Sequence, residues 1–251
     1  MEIRWSVGFI NQIEPVLRSK ALNKYQLALI AATIGTGVAN ADHQNGIVEV
    51  STECEVALAL SAGTDYLQEY AGVYVFGDQG YELIRESSNG YVCMAVREAP
   101  NAIVPQCFDR PAQNTHVQIF LGEGARLRAG DSFAEVRAAR FEPFENGEVS
   151  PVTEPGLVYM LSEFNLINAG GNYLRVAPHI MYHAPHITMD DIASTDAIAM
   201  QNRGMPIIAN SGPMSYLVSF VEHGTGQEDV LAACGDELPD LDRYQPFPPG
   251  G

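Results

Sequence analysis

Residues 178–188, PHIMYHAPHIT, hold three of the chain's six histidines within eight positions, between Pro178 and the stretch that follows Pro185. Three imidazoles around one divalent ion, with a position left for water, make a hydrolytic zinc site. His179, His183 and His186 are therefore the metal ligands this sequence offers, with zinc or calcium as the predicted cofactor. Asp190 and Asp191 follow closely. Either would orient an imidazole through a hydrogen bond, bind a hard cation, or act as general base toward the metal-bound water. The plainer reading makes Thr188 the cap of a helix whose first turn carries both acids, and for the aspartates it is the preferred one. The histidine spacing lacks the glutamate of HExxH and fits no zinc finger, and no second cluster offers a fourth ligand.

A metal-free alternative uses Ser211. No G-x-S-x-G occurs, and Asn210-Ser211-Gly212-Pro213 is the nearest small-residue serine turn, so an ordinary turn outweighs a nucleophile whose base would be His183 or His186. Glu82 and Glu86 share a strand face but flank Arg85, which suits a solvated surface better than a glycosidase pair. Tyr74, Tyr81 and Tyr91 alternate through the same region and read as cross-strand packing.

The elements that must position these residues begin after a distinctive N-terminus. Arg18, Lys20 and Lys24 precede an apolar run from Leu27 to Val38 and then Ala39-Asn40-Ala41, the order of a secretory signal peptide. The chain is thus expected to be secreted or periplasmic, with residues 1–41 removed. That loss takes four of the 14 cationic and two of the 31 acidic residues, so the formal charge moves from −17 to −19. So acidic a surface excludes nucleic acid and anionic membranes as principal partners and leaves a small-molecule substrate. Both lysines, Lys20 and Lys24, go with the leader, which rules out Schiff-base and Walker-type phosphate chemistry in the remainder. All four cysteines remain, and disulfides suit an oxidising compartment. Cys93–Cys107 is the preferred pair, because Pro100 and Pro105 let the chain fold back between them; Cys54–Cys234 would then tie the C-terminal segment to the body.

Residues 42–223 read as one α+β domain with a mainly antiparallel sheet and a few helices. Ser51 or Thr52 caps a helix ending at Gly63. Residues 71–98 have Val- and Tyr-rich runs separated by Gly-Asp-Gln-Gly and Ser-Ser-Asn-Gly, as in a three-stranded antiparallel meander. Two helices follow over 115–142, broken at Gly130-Asp131-Ser132, and strand-like runs return from Gly156. Residues 224–251, acidic and rich in Pro and Gly, read as a disordered tail.

The stretches VYVFGDQGYELIRESSNGYVCMAVRE and PHIMYHAPHIT resemble segments of secreted bacterial proteins of unassigned activity. That resemblance spans most of residues 50–220 and implies a shared exported domain, with no catalytic residue carried over. Together these readings predict a secreted, metal-assisted hydrolase of a small ester, lactone or amide. The competing classes are a non-catalytic exported domain that binds a ligand or partner, and a metal-free serine hydrolase.

Overall fold

The computed structural model describes residues 46–169, 171–202, 204–210 and 212–247; the expected leader and Ser211 lie outside them. In chain order the elements are α1 (Thr52–Ser61), α2 (Asp65–Tyr70), β1 (Gly72–Gly77), β2 (Gly80–Arg85), β3 (Val92–Val96), β4 (Val104–Phe108), α3 (Arg110–Gln113), α4 (His116–Ala129), α5 (Phe133–Ala138) and α6 (Glu142–Glu145). They continue with β5 (Leu157–Met160), β6 (Leu166–Ala169), β7 (Asn172–Val176), β8 (His179–His183), α7 (Asp196–Gln201), β9 (Ile207–Ala209), β10 (Tyr216–Phe220), α8 (Gln227–Cys234) and β11 (Gln245–Phe247). Eight strands form one sheet in the order β2-β1-β3-β4-β5-β8-β10-β9, and β11-β7-β6 form a second. The architecture is α+β and mostly antiparallel, as the alternation of strand-like and helical runs predicts. No helix among the described residues is long and apolar enough to cross a membrane.

Local signals translate directly into local structure. The Ser51 hydroxyl accepts the Cys54 amide at the start of α1. Gly130, at φ 105°, ends α4 in the left-handed region, and Ser132 with Glu135 closes a capping box on α5. Gly124 inside α4 has a packing reason: a Cβ there would lie 2.6 Å from the Tyr81 ring, so glycine lets the helix settle onto the β1–β2 hairpin.

Two expectations are corrected. β1 and β2 form a hairpin, but β3 returns beside β1 in parallel instead of extending a meander beyond β2. Residues 224–251 are not a disordered tail throughout, because residues 227–234 form α8 and β11 adds a parallel strand to β7. The Cys54–Cys234 disulfide fastens α8 to α1, and the Glu237 carboxylate accepts from the Ser51 hydroxyl at 2.8 Å. Cys93 and Cys107 sit directly opposite each other on β3 and β4 and form the second bridge. Both pairings are those expected, and both are compatible with an oxidising compartment.

The large sheet buries both faces over its middle. On one, α1 packs Ala59 and Ala62 against Val73, Cys93 and Cys107. On the other, Val117, Ile119 and Phe120 of α4 pack against Met94, Phe108, Val158, Met181 and Val218. This second face carries the site.

Candidate functional site

Alternation along β8 turns His179, Met181 and His183 to the α4 side, as their spacing predicts. At about 3.3 Å of rise per residue, however, positions four apart on a strand are separated by roughly 13 Å. His179 and His183 therefore share a face without sharing a ligand. His186 stands further on, exposed and left-handed at φ 65°, with its amide donating to the Gly212 carbonyl at 2.7 Å. Among the described residues no group of three His, Cys, Asp or Glu side chains is placed to hold one ion. The zinc or calcium expected at His179, His183 and His186 has no fitting donor set there.

The two aspartates organise their own turn. The Asp191 carboxylate accepts from the Thr188 amide at 2.9 Å and its hydroxyl at 2.7 Å, closing a 3-10 turn over Asp190–Ile192, and both acids are exposed. Neither approaches a histidine of β8 by any hydrogen bond among the described residues; Met189 rather than Thr188 stands at the N-cap of the turn, and no side chain caps it.

What His183 does instead is set by Asp109, a residue the sequence did not single out. Asp109 ends β4 and caps α3, where the Ala112 amide donates to Oδ1 at 3.0 Å. His183 Nε2 donates to the same oxygen at 3.0 Å, and the Leu157 amide donates to Oδ2 at 2.7 Å. Burial works to raise the Asp109 pKa, but these hydrogen bonds, His183's first among them, hold the carboxyl below its ordinary value. Gly156 makes room for the contact: a Cβ there would fall 2.0 Å from Asp109 Oδ2.

His116 and Tyr216 complete a stack of rings. His116 lies 5.4 Å from His183 and 4.7 Å from Tyr216 between ring centroids. His116 Nδ1 is 3.0 Å from the Thr115 hydroxyl, while His116 Nε2, His183 Nδ1 and Tyr216 Oη are buried without a partner of acceptable geometry. The His183 side chain is only 1% exposed. An Asp–His pair of this kind would orient a catalytic base if substrate could reach it; here the pair is sealed between α4 and the sheet and serves to lock β4, β5 and β8 together.

The open space lies toward the other end of β8. A cavity of about 160 Å³ is walled by Phe120, Met160, Met181, Val218 and Phe220 on the α4 side of the large sheet, and by Ile167, Val176 and Phe247 of the second sheet. His179 faces it at the level of Met160 and Phe220, its partners in register on β5 and β10. Gln106, 3% exposed, and the ring of Tyr216 also line it, and Glu98 and Asn210 add polar groups.

Burial depresses both enclosed histidines. His116 falls to about 3, through burial first and the neighbouring His183 second, and His179 falls to about 4 through burial. An unfolded histidine titrates near 6.5, so each contributes stability that is fully present above that pH and is lost as pH falls toward the folded values. Between pH 7 and pH 5 the loss is about 2 kcal/mol for each ring. Urea unfolding at the two pH values measures it; stability that is flat or higher at pH 5 would contradict the buried, neutral assignment.

Asp109, His116 and Tyr216 were missed in the sequence because they are brought to His183 by the fold. Only Asp109-Arg110-Pro111, a cap residue followed by an early-turn proline, carried a local signal, and it marks a helix start rather than a site. Comparison with protein-family models, with curated proteins and with solved structures finds no match to the chain. The geometry therefore carries the functional reading.

Proposed function

We propose that the protein is a non-catalytic exported domain that binds one small, largely apolar molecule in the cavity between the two sheets. The observation that carries this reading is the combination of size and lining. Pockets for drug-sized molecules run to roughly 300–1,000 Å³, whereas about 160 Å³ bounded by Phe, Met, Ile and Val side chains suits an occupant near the size of benzene. Apolar cavities of about 150 Å³ take up benzene or xenon. A hydrolase reading has less support, because the paired carboxylate and imidazole are sealed away from this space and, among the described residues, the other expected groups lie apart.

The test is calorimetric titration of the whole chain with benzene, paired with Ile207→Trp. Ile207 is half-buried on the edge strand β9 and lines the cavity, so a larger ring there fills the space with least disturbance. Benzene at tenfold its Kd is expected to add about 1.4 kcal/mol of stability to the wild type and nothing to the folded variant. Equal binding by both would place benzene elsewhere and sink the reading.

Export belongs to the same proposal. It rests on the order of residues 18–41 and on the two disulfides. Mass spectrometry of the protein recovered from outside the cytoplasm is expected to find a chain beginning at Asp42; recovery only from the cytoplasm, with the leader intact, would refute it.

A further inference from the structure

The His179 ring is fixed by its own strand. Nδ1 lies 2.7 Å from the Ala177 carbonyl, and a carbonyl only accepts, so Nδ1 carries the proton. Burial keeps the ring neutral at ordinary pH, with its pKa lowered to about 4. Nε2 therefore presents a lone pair. No described residue donates to that nitrogen, and it is not among the buried polar atoms sealed without a partner, which belong to Asn89, His116, Asn165, His183 and Tyr216. His179 lines the cavity and is only 4% exposed. The wall around it is apolar, with the Phe220 ring centroid 5.6 Å away and Met160 in register.

An acceptor set in an apolar wall discriminates between occupants. A ligand without a hydrogen-bond donor displaces water from Nε2 and returns nothing, whereas one with a single well-placed donor satisfies it. Charge narrows the choice. Glu98 also lines the cavity, and among the described residues no cationic side chain does, so an anionic ligand would be desolvated there without an opposite charge to pair with.

We propose that the cavity selects neutral molecules of the phenol class, a benzene-sized apolar body carrying one hydroxyl, and that His179 Nε2 accepts the hydroxyl proton in a hydrogen bond. This inference rests on the cavity reading above and adds the chemistry of the ligand to it.

Titration of the whole chain at neutral pH with benzene, anisole, phenol and benzoate tests it. Phenol is expected to bind at least about tenfold more tightly than anisole, the unpaired acceptor being the difference, and benzoate not to bind. His179→Phe removes the acceptor and is expected to bind phenol and anisole alike. Where that variant does not fold, the 15N resonance of His179 Nε2 in the wild type supplies the readout: it is expected to shift with phenol and not with anisole. Equal wild-type affinity for benzene, anisole and phenol would overturn the donor preference while leaving the cavity reading standing. Failure of all three to bind would overturn both. A phenol preference that survives in folded His179→Phe, or a His179 nitrogen indifferent to phenol, would overturn the role of His179.

Discussion

Arg97→Leu is expected to lower the free energy of unfolding by about 3–5 kcal/mol, the usual result of leaving one member of a buried ion pair without its partner. Arg97 and Glu55 are both sealed, with side chains 1% and 3% exposed. Two guanidinium nitrogens donate to the two Glu55 oxygens at 2.6 and 2.7 Å, Nε and Nη2 donate to the Val48 carbonyl, and Nη1 donates to the Ala95 carbonyl. The guanidinium also lies over the Phe76 ring, 4.9 Å from its centroid. Burial alone would lower the Arg97 pKa, and the Glu55 carboxylate, with Tyr81 and Glu49 adding to it, more than reverses that. Leucine fills much of the volume but leaves the α1 carboxylate and the Val48 carbonyl without donors, while the Ala95 carbonyl keeps the Tyr81 hydroxyl at 3.3 Å. Denaturant unfolding of the variant measures the cost. A loss under about 1 kcal/mol would show that water reaches Glu55, contrary to the sealed geometry.

The second large effect is expected at Asp109. Asp109→Ala strips the acceptor from three donors at once: the Ala112 amide, the Leu157 amide and His183 Nε2. Each unmet buried donor costs about 1–3 kcal/mol, so a total of at least about 3 kcal/mol is expected, against a smaller loss for Asp109→Asn, whose amide oxygen still accepts. If Asp109 were instead the orienting carboxylate of a catalytic pair, its loss would abolish an activity with little change in stability. Unfolding free energies of the two variants separate these roles, and a near-neutral Asp109→Ala would end the structural assignment.

How much of this was legible in the sequence depends on the range of the interaction. Ser51, Gly130 and the Ser132–Glu135 box act within one or two turns, and they mark helix ends correctly. The Cys93–Cys107 bridge spans a short fold-back and was also readable. The neighbours of β3 were not, because alternation identifies a strand but does not say which strand lies beside it. Composition misled for the C-terminal segment, where Pro246 sits in β11 and Cys234 anchors α8. For the site, the period of β8 gave the shared face of His179 and His183, and the long rise of a strand undid their convergence. Asp109 lies 74 residues from His183 in sequence, and the cavity exists only where two sheets and α4 meet, so neither left a local trace.

The most direct test of the binding proposal is 13C-methyl NMR of the methionines of the whole chain during titration with benzene. Met160 and Met181 line the cavity, while Met94 and Met205 do not. The account predicts saturable shifts at Met160 and Met181, with Met94 and Met205 unmoved. Cavity methionines that stay still at saturating benzene, or shifts confined to Met94 and Met205, would contradict it.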